Sequence, residues 1–241
     1  MPLNSLQIGL SRCLLGEAVR YDGASKSSLI CRSELAKHFN LQAVCPEVEA
    51  GMSVPRPAVE LVQLADKLVA IGRDDKSLDV SQQLIEFSQR KIVQLNKLSG
   101  FVVTPRSPSC GLNSVPIKSA AGKVIRTDGT GLFTQVLMQC FPALPIIEEP
   151  ELATLKVLIS FQIRVIIYAS IKHNNHAITS CLVNGELGGF INKMNKLGSL
   201  TQQMLILNHE LNQQSAQYLS RVLSQLRELF NEQSAIINSS L

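Results

Sequence analysis

The sequence lacks several features that often assign a protein to a class directly. Tryptophan is absent and aromatic residues make up only 5% of the chain, so the core must rest on leucine, isoleucine and valine. No run of five like charges occurs. The net charge of +4 does not by itself indicate a nucleic-acid-binding protein, because such proteins usually cluster lysine and arginine on one face.

Long apolar segments are also missing. The N-terminus, MPLNSLQIGLSRC, lacks the charged region and the apolar region of a signal peptide. The most apolar stretch, residues 157–171, is interrupted by Ser160, Gln162 and Arg164 and is too short to span a bilayer. We therefore expect a cytoplasmic protein without a membrane segment, in which the six cysteines do not form disulfides.

Short apolar runs alternate with helical patterns over the first 150 residues. The patterns predict strands at 6–10, 41–44, 68–71 and 101–103, a hairpin at 118–125, and helices at 33–39, 79–98 and 131–140. This alternation predicts an α/β domain with a largely parallel sheet.

The composition changes near Glu148-Glu149-Pro150. Beyond this point the patterns predict two long amphipathic helices, at 152–171 and 200–230. We therefore predict an α/β domain at 1–150 and a helical C-terminal segment at 151–241. The second part carries seven Lys/Arg against five Asp/Glu, a weak charge for RNA binding. Helices that pack on the core or form a homodimer would explain this segment equally well.

Three cysteines, Cys13, Cys45 and Cys110, each follow a short apolar run and are followed within three residues by glycine or proline. In an open α/β sheet, the loops at the carboxyl ends of the strands meet at one crevice. Three thiolates there would form a metal or cluster site with one open coordination position. They lie too far apart in sequence for a zinc ribbon or a ferredoxin motif, and three separately buried thiols would fit the spacing equally well.

Four segments add a more specific signal: CLLGEAVRYDG (13–23), CPEVEAGMSVPRP (45–57), SPSCG (107–111) and GTGLF (129–133). Together and in this order they resemble the DUF523 family, which includes the thiouracil desulfidases, over roughly residues 6 to 150. The resemblance implies a Rossmann-like domain with a [4Fe-4S] cluster held by Cys13, Cys45 and Cys110. It also implies that the fourth iron binds the sulfur of a thiolated pyrimidine, which leaves as sulfide while the ring carbon gains oxygen.

The resemblance directs attention to three residues beside the cysteines. Glu47 is expected to act as the acid and base that exchanges protons with water, although a carboxylate beside Pro46 also suits a helix N-terminus. Ser107 and Ser109 are expected to bind the ring or to orient the water, and ordinary turn serines would look the same.

Other residues are expected to contact the substrate. Tyr21 and Asp22 belong to a turn that could close the pocket, and such turns are also common on surfaces. Many members of the family carry a lysine where this chain has Thr104-Pro105, so Arg106 is expected to take its place. The helix that begins behind Gly131 is a further place where an anion could bind.

The remaining cysteines, Cys31, Cys140 and Cys181, lack a glycine or proline loop and are interpreted as incidental. Some relatives fuse this domain to a DUF1722 module linked to thiolated uridine in tRNA. Residues 155–168 are similar to the joining segment, and residues 204–223 faintly resemble the module itself. Two alternatives therefore remain: a tRNA thiouridine desulfidase whose C-terminal segment binds RNA, and a non-enzymatic iron–sulfur redox sensor.

Overall fold

The computed structural model describes residues 3–173 and 199–238. This part of the chain contains eight strands: β1 (Gln7–Ser11), β2 (Asn40–Val44), β3 (Val59–Leu64), β4 (Lys67–Gly72), β5 (Leu98–Val103), β6 (Val115–Ser119), β7 (Val124–Gly129) and β8 (Ile146–Glu148). It also contains six α-helices: α1 (Pro46–Glu49), α2 (Ser81–Ile92), α3 (Leu132–Cys140), α4 (Leu155–Lys172), α5 (Leu200–Gln213) and α6 (Ala216–Asn238). Short helical turns of 3-10 or π type cover Leu3–Ser5, Arg12–Leu15, Ile30–Leu35, Val93–Leu95 and Glu149–Ala153.

The first sheet has the order β2-β1-β5-β8, and all its pairs are parallel. Every residue of β5 is buried, as expected for a parallel strand covered on both faces. Because β2 and β5 lie on opposite sides of β1, the strand order reverses at β1, and a crevice opens at the carboxyl ends of these three strands. The predicted α/β class with a mostly parallel sheet is confirmed, and the arrangement is Rossmann-like.

A second sheet, with the order β4-β3-β6-β7, was not predicted as a separate unit. Its outer pairs are antiparallel, and the central pair of β3 with β6 is parallel. The hairpin predicted at 118–125 is confirmed as the β6–β7 pair. Strand β3 is absent from the prediction, and the strand predicted at 68–71 belongs to this sheet and not to the parallel one.

Two predicted helices differ from the structure. The helix predicted at 33–39 is a π-helical turn over Ile30–Leu35. The long helix predicted at 200–230 is interrupted between α5 and α6, although no glycine or proline is present. Ser215 causes the break, because its Oγ accepts a hydrogen bond of 3.2 Å from the Tyr218 N–H and thereby starts a new helix.

The C-terminal helices share their core with the parallel sheet. Helix α4 approaches β5 at Gly100, where an added Cβ would lie 2.7 Å from Val165 and 3.2 Å from Phe161. Buried Phe101 of β5 belongs to the same apolar cluster as Leu207 of α5 and further leucines of α6. The division into residues 1–150 and 151–241 stays a prediction. None of the helices in the described residues is both long and apolar enough to cross a membrane.

Candidate active site

The three cysteines lie at the carboxyl ends of three adjacent parallel strands. Cys13 lies in the helical turn that follows β1, Cys45 directly follows β2, and Cys110 lies in the loop after β5. Negative charge on Cys13 or Cys45 raises the pKa of Cys110, and Cys45 likewise raises the pKa of Cys13. The fold therefore places the three sulfurs close enough to interact electrostatically.

Burial is the largest influence on all three thiols. It raises the pKa of Cys13 and Cys45 and places the pKa of Cys110 well above the ordinary cysteine value. Smaller effects act in the opposite direction: the Ser11 hydroxyl favours the Cys110 thiolate, and the backbone N–H of Val48 favours that of Cys45. Three mutually repelling thiolates in a buried site need a compensating cation, which is the condition that a bound metal cluster would meet.

The hydroxyl of Thr104 is a second feature of the site that suits a bound metal cluster. This hydroxyl lies near enough to Cys13 to favour the thiolate, but it does not reach the geometry of a full hydrogen bond. The buried Oγ1 has no other hydrogen-bond partner in the described part of the chain. Since buried hydroxyls are normally paired, this atom is suited to donate to a sulfur that occupies the crevice.

The donor set is chemically suited to an iron–sulfur cluster, because cysteine thiolates are the usual ligands of such clusters. Cys13, Cys45 and Cys110 are free thiols, so they are available as ligands.

Glu47 reaches the same crevice from helix α1 and is 8% exposed. Its Oε1 accepts a hydrogen bond of 2.7 Å from the hydroxyl of Ser109, which is fully buried. Its Oε2 accepts two hydrogen bonds from Arg56, one from Nε at 2.8 Å and one from Nη2. The carboxylate also raises the pKa of Cys45 and Cys110, so it lies beside the sulfurs. The predicted residues Glu47 and Ser109 are thus brought together.

Arg56 was not recognised from the sequence, although it belongs to the segment CPEVEAGMSVPRP. Its side chain is only 6% exposed, and its Nε and Nη2 both donate to the Oε2 atom of Glu47. It also donates to the carbonyl of Val19 at 3.0 Å, and its backbone N–H donates to the carbonyl of Tyr21 at 2.9 Å. Arg56 therefore fixes the orientation of the carboxylate and connects it to the turn that contains Tyr21.

Glu49 is a second residue that the sequence did not single out. Its carboxylate accepts hydrogen bonds from the backbone N–H of Cys45 at 2.9 Å and from Arg12, next to Cys13, at 2.8 Å. The Nζ atom of Lys91, on helix α2, lies 2.9 Å from the other oxygen of the same carboxylate and forms an ion pair with it. One carboxylate thus joins the two cysteine loops to the neighbouring helix.

The loop that carries Cys110 is held by Ser107 and by helix α3. The Ser107 Oγ accepts hydrogen bonds from the N–H groups of Ser109 and Cys110, at 3.3 and 3.1 Å, so it forms the turn. The first N–H groups of α3 donate to the carbonyls of Pro108 and Ser109. The expectation that this helix N-terminus could receive an anion is therefore wrong, because loop carbonyls occupy it.

The close contact between this loop and the segment GTGLF explains the glycine before helix α3. A Cβ at Gly131 would lie 2.4 Å from the carbonyl carbon of Ser109, so no larger residue fits without moving the loop. Thr134 completes the attachment with a hydrogen bond of 2.7 Å to the Cys110 carbonyl. The role of this motif is thus to position Cys110.

Tyr21 and Asp22, which were predicted to bind the substrate, lie in the turn whose Tyr21 carbonyl accepts a hydrogen bond from the Arg56 N–H. Tyr21 is 37% exposed, with the guanidinium groups of Arg20 and Arg73 5.7 and 5.9 Å from its ring centre. Asp22 is exposed and accepts a 3.0 Å hydrogen bond from the Ala24 N–H, which shapes the turn.

Arg106 is an exposed residue in the left-handed region, with φ of 59°. Its charge lowers the pKa of Lys26, after the larger effect of burial. The charge of Lys26 in turn favours the Cys13 thiolate, so both cations lie on the side of the crevice where Cys13 is found.

The other cysteines differ from these three. Cys31 is fully buried, and burial raises its pKa to about 11. Cys140 is exposed at the end of α3. Cys181 lies outside the described residues.

These features define an α/β, Rossmann-like protein with a thiol-lined crevice at its sheet switch point. The model of the 2-thiouracil desulfurase family matches residues 8–149, which is more than half of the chain, and the chain belongs to this family. The match confirms the predicted family and the predicted class of enzyme.

Among solved structures, the chain is similar to one described as the [4Fe-4S]-dependent thiouracil desulfidase TudS. The two sequences are 25% identical, and the match covers 62% of this chain and 94% of the other, with a TM-score of 0.48. No curated protein matches the chain.

Proposed function

We propose that this protein removes sulfur from thiolated uracil, converting thiouracil and water into uracil and hydrogen sulfide. Membership of the 2-thiouracil desulfurase family supports this reaction. The observation that carries the proposal is one crevice that contains the buried thiols of Cys13 and Cys110, the half-buried thiol of Cys45 and the hydrogen-bonded pair of Glu47 and Ser109. The reaction is a hydrolysis, so it needs no external oxidant or reductant.

In this proposal Cys13, Cys45 and Cys110 hold a [4Fe-4S] cluster as thiolates. The cluster would supply an iron with an open coordination position, a Lewis acid suited to the soft sulfur of a thiocarbonyl group. The Ser11 and Thr104 hydroxyls would donate to the sulfurs from the protein side.

Glu47 acts as the acid and base of the reaction. Its carboxylate takes a proton from the water whose oxygen bonds to the ring carbon, and that proton then passes to the departing sulfur. The second proton of the water leaves the new ring oxygen as the C–S bond breaks, and the two protons together give hydrogen sulfide. Arg56 keeps the carboxylate aimed at the crevice, and the Ser109 hydroxyl donates to Oε1. Ser107 contributes by shaping the Cys110 loop, and its direct contact with the substrate stays a prediction.

The substrate is a free thiolated pyrimidine bound between Tyr21, Asp22 and Arg106, in a cytoplasmic protein. The free thiols of Cys13, Cys45 and Cys110 are consistent with that compartment. The alternative substrate is a thiolated tRNA. Formation of a homodimer through the C-terminal segment also stays a prediction. The modest charge of residues 151–241 favours the small molecule.

The decisive experiment measures uracil and sulfide released from 2-thiouracil and 4-thiouracil by anaerobically purified protein at several salt concentrations. We expect equal amounts of the two products, at a rate that hardly changes with salt. Binding of thiolated tRNA would instead weaken steeply with salt, with a log–log slope of about −0.7 per contacted single-strand phosphate. Turnover of thiolated tRNA alone would contradict the free-base substrate, and turnover of neither would contradict the proposed reaction.

A further inference from the structure

A polar cavity of about 430 Å³ lies where the C-terminal helices meet the parallel sheet. Its walls come from strand β8, from Glu151 in the helical turn after it, from helices α4 and α5, and from Leu112 and Asn113, which closely follow Cys110. The three cysteines do not line it, so it is distinct from the candidate active site.

A stripe of polar residues on α4 faces this cavity. Lys156, Ser160 and Arg164 are spaced four residues apart and therefore share one face of the helix. Asn208 and Asn212, also four apart, line the cavity from α5. Apolar side chains would pack these two helices more favourably, because buried polar groups cost free energy unless they are hydrogen-bonded.

Arg164 is the unexplained member of this stripe. Its guanidinium carbon lies 5.8 Å from the ring centre of Phe161. Among the described residues, its buried Nε has no hydrogen-bond partner and the guanidinium forms no ion pair. Burial lowers its pKa, and the charge of Glu151 only partly opposes this effect. Buried hydrogen-bond donors are normally paired. The Nε–H of Arg164 therefore has room for an acceptor that a bound molecule would supply.

One oxygen of each carboxylate in the cavity wall accepts hydrogen bonds from neutral groups. Glu148 Oε1 accepts hydrogen bonds from the Leu112 N–H at 2.7 Å and from the Ser114 hydroxyl at 2.5 Å. Glu151 Oε1 accepts from the Glu148 N–H at 3.1 Å. Lys156 donates to the backbone carbonyl of Asn212 at 2.8 Å and adds a second positive charge next to the cavity.

We propose that this cavity binds a small oxyanion, a phosphate or carboxylate group, on the guanidinium of Arg164, with Lys156 and the two asparagine amides around it. A planar guanidinium matches either group through two parallel hydrogen bonds. The site lies beside the segment that follows Cys110, because Glu148 both lines the cavity and holds Leu112. It does not depend on the proposed desulfidase reaction or on a bound cluster.

The test follows the Arg164 Nε–H signal in nitrogen–proton NMR spectra of the full chain. Sodium phosphate and sodium acetate are titrated separately, with sodium chloride holding the ionic strength constant. We expect a saturable shift of this signal with at least one of the two anions. The signal is assigned by its loss in Arg164→Gln, and Arg90→Gln, which removes an exposed arginine of α2, serves as the control with the same change of charge.

The outcomes separate clearly. Saturation with phosphate, with acetate or with both supports the site and defines its preference. Lys156→Gln should then weaken binding by about tenfold, the equivalent of about 1.4 kcal/mol, without loss of the fold. A signal that moves no further with phosphate or acetate than with chloride overturns the proposal, as does equal saturation in Lys156→Gln and the unmodified protein.

Discussion

At the residue scale, the environment of Glu47 decides what the crevice can do. Both carboxylate oxygens are fixed, one by the Ser109 hydroxyl and the other by Arg56, so the group is held in one orientation. A carboxylate oxygen can accept more than one hydrogen bond, so Oε1 retains capacity for a water molecule. This geometry is what a proton-transferring group beside the substrate requires.

Replacing Glu47 with glutamine tests that role. Glu47→Gln keeps the shape of the side chain but cannot take up a proton, so turnover of thiouracil should fall by about 10²-fold or more. Iron content should stay unchanged, because the glutamine does not replace a ligand. Glu34→Gln removes an exposed carboxylate paired with Lys37 and serves as the control. Near-normal turnover by an iron-replete Glu47→Gln protein would transfer the role to Ser109 or Ser107.

Arg56 provides an independent test at the same scale. Arg56→Gln leaves the Glu47 carboxylate buried without its cation, so the free energy of unfolding should fall by about 3 kcal/mol. Urea denaturation of the two proteins measures this difference. The double variant Glu47→Gln/Arg56→Gln should recover part of the loss, because no uncompensated charge remains. Equal stability of Arg56→Gln and the unmodified protein would show that the ion pair between Arg56 and Glu47 does not stabilise the fold.

At the scale of elements, Glu60 joins the strands of the second sheet. It lies on β3 and binds Lys118 of β6 at 2.5 Å and Lys76 at 2.6 Å. Burial alone would raise the pKa of Glu60, but the hydrogen bonds from both lysines outweigh it and lower the pKa below the ordinary glutamate value.

The lowered pKa gives this contact a defined pH dependence. Its stabilisation is complete above the ordinary glutamate pKa of the unfolded chain and is lost as the pH falls through the lower pKa of the folded state. Glu60→Gln should therefore cost about 1 kcal/mol at neutral pH and much less in acid. Urea denaturation of Glu60→Gln and the unmodified protein, at neutral pH and in acid, measures the difference in the free energy of unfolding. Glu86→Gln, which replaces an exposed glutamate, serves as the control. A deficit that is the same at both pH values would contradict the argument.

The same elements show why the sequence predicted part of the fold. The parallel strands β1, β2 and β5 were predicted because each contains a short apolar run, whereas the three-residue parallel strand β8 was not predicted. Strand β3 was missed because the charged Glu60 lies within it, and its lysine partners come from distant positions. The break at Ser215 was missed because a serine cap carries a weaker signal than glycine or proline.

The site was predicted to a similar extent. The sequence singled out Cys13, Cys45, Glu47 and Cys110 because they stand in recognisable motifs at the ends of predicted strands, and the structure brings them to one crevice. The carboxylate of Glu49 and the guanidinium of Arg56 were missed because their roles depend on side-chain directions within loops. The catalytic role predicted for Ser107 stays a prediction, and in the structure its hydroxyl forms a turn that positions Cys110.

At the scale of the whole molecule, the C-terminal helices complete the core of the parallel sheet. Leu207, Leu211 and Leu226 are buried in the cluster that contains Phe101. Removing these helices would expose that surface to water, so a truncated protein would be less stable whatever its substrate. Experiments on substrate and cofactor therefore need the full chain.

The central claim is that Cys13, Cys45 and Cys110 hold one [4Fe-4S] cluster, and iron and sulfide analysis of anaerobically purified protein tests it most directly. The unmodified chain, Cys31→Ser and Cys140→Ser should each be brown and carry equal amounts of iron and acid-labile sulfide. Cys13→Ser, Cys45→Ser and Cys110→Ser should each lose the colour and the iron. A full cluster in any of these three variants, or an unmodified chain without iron, would contradict the claim.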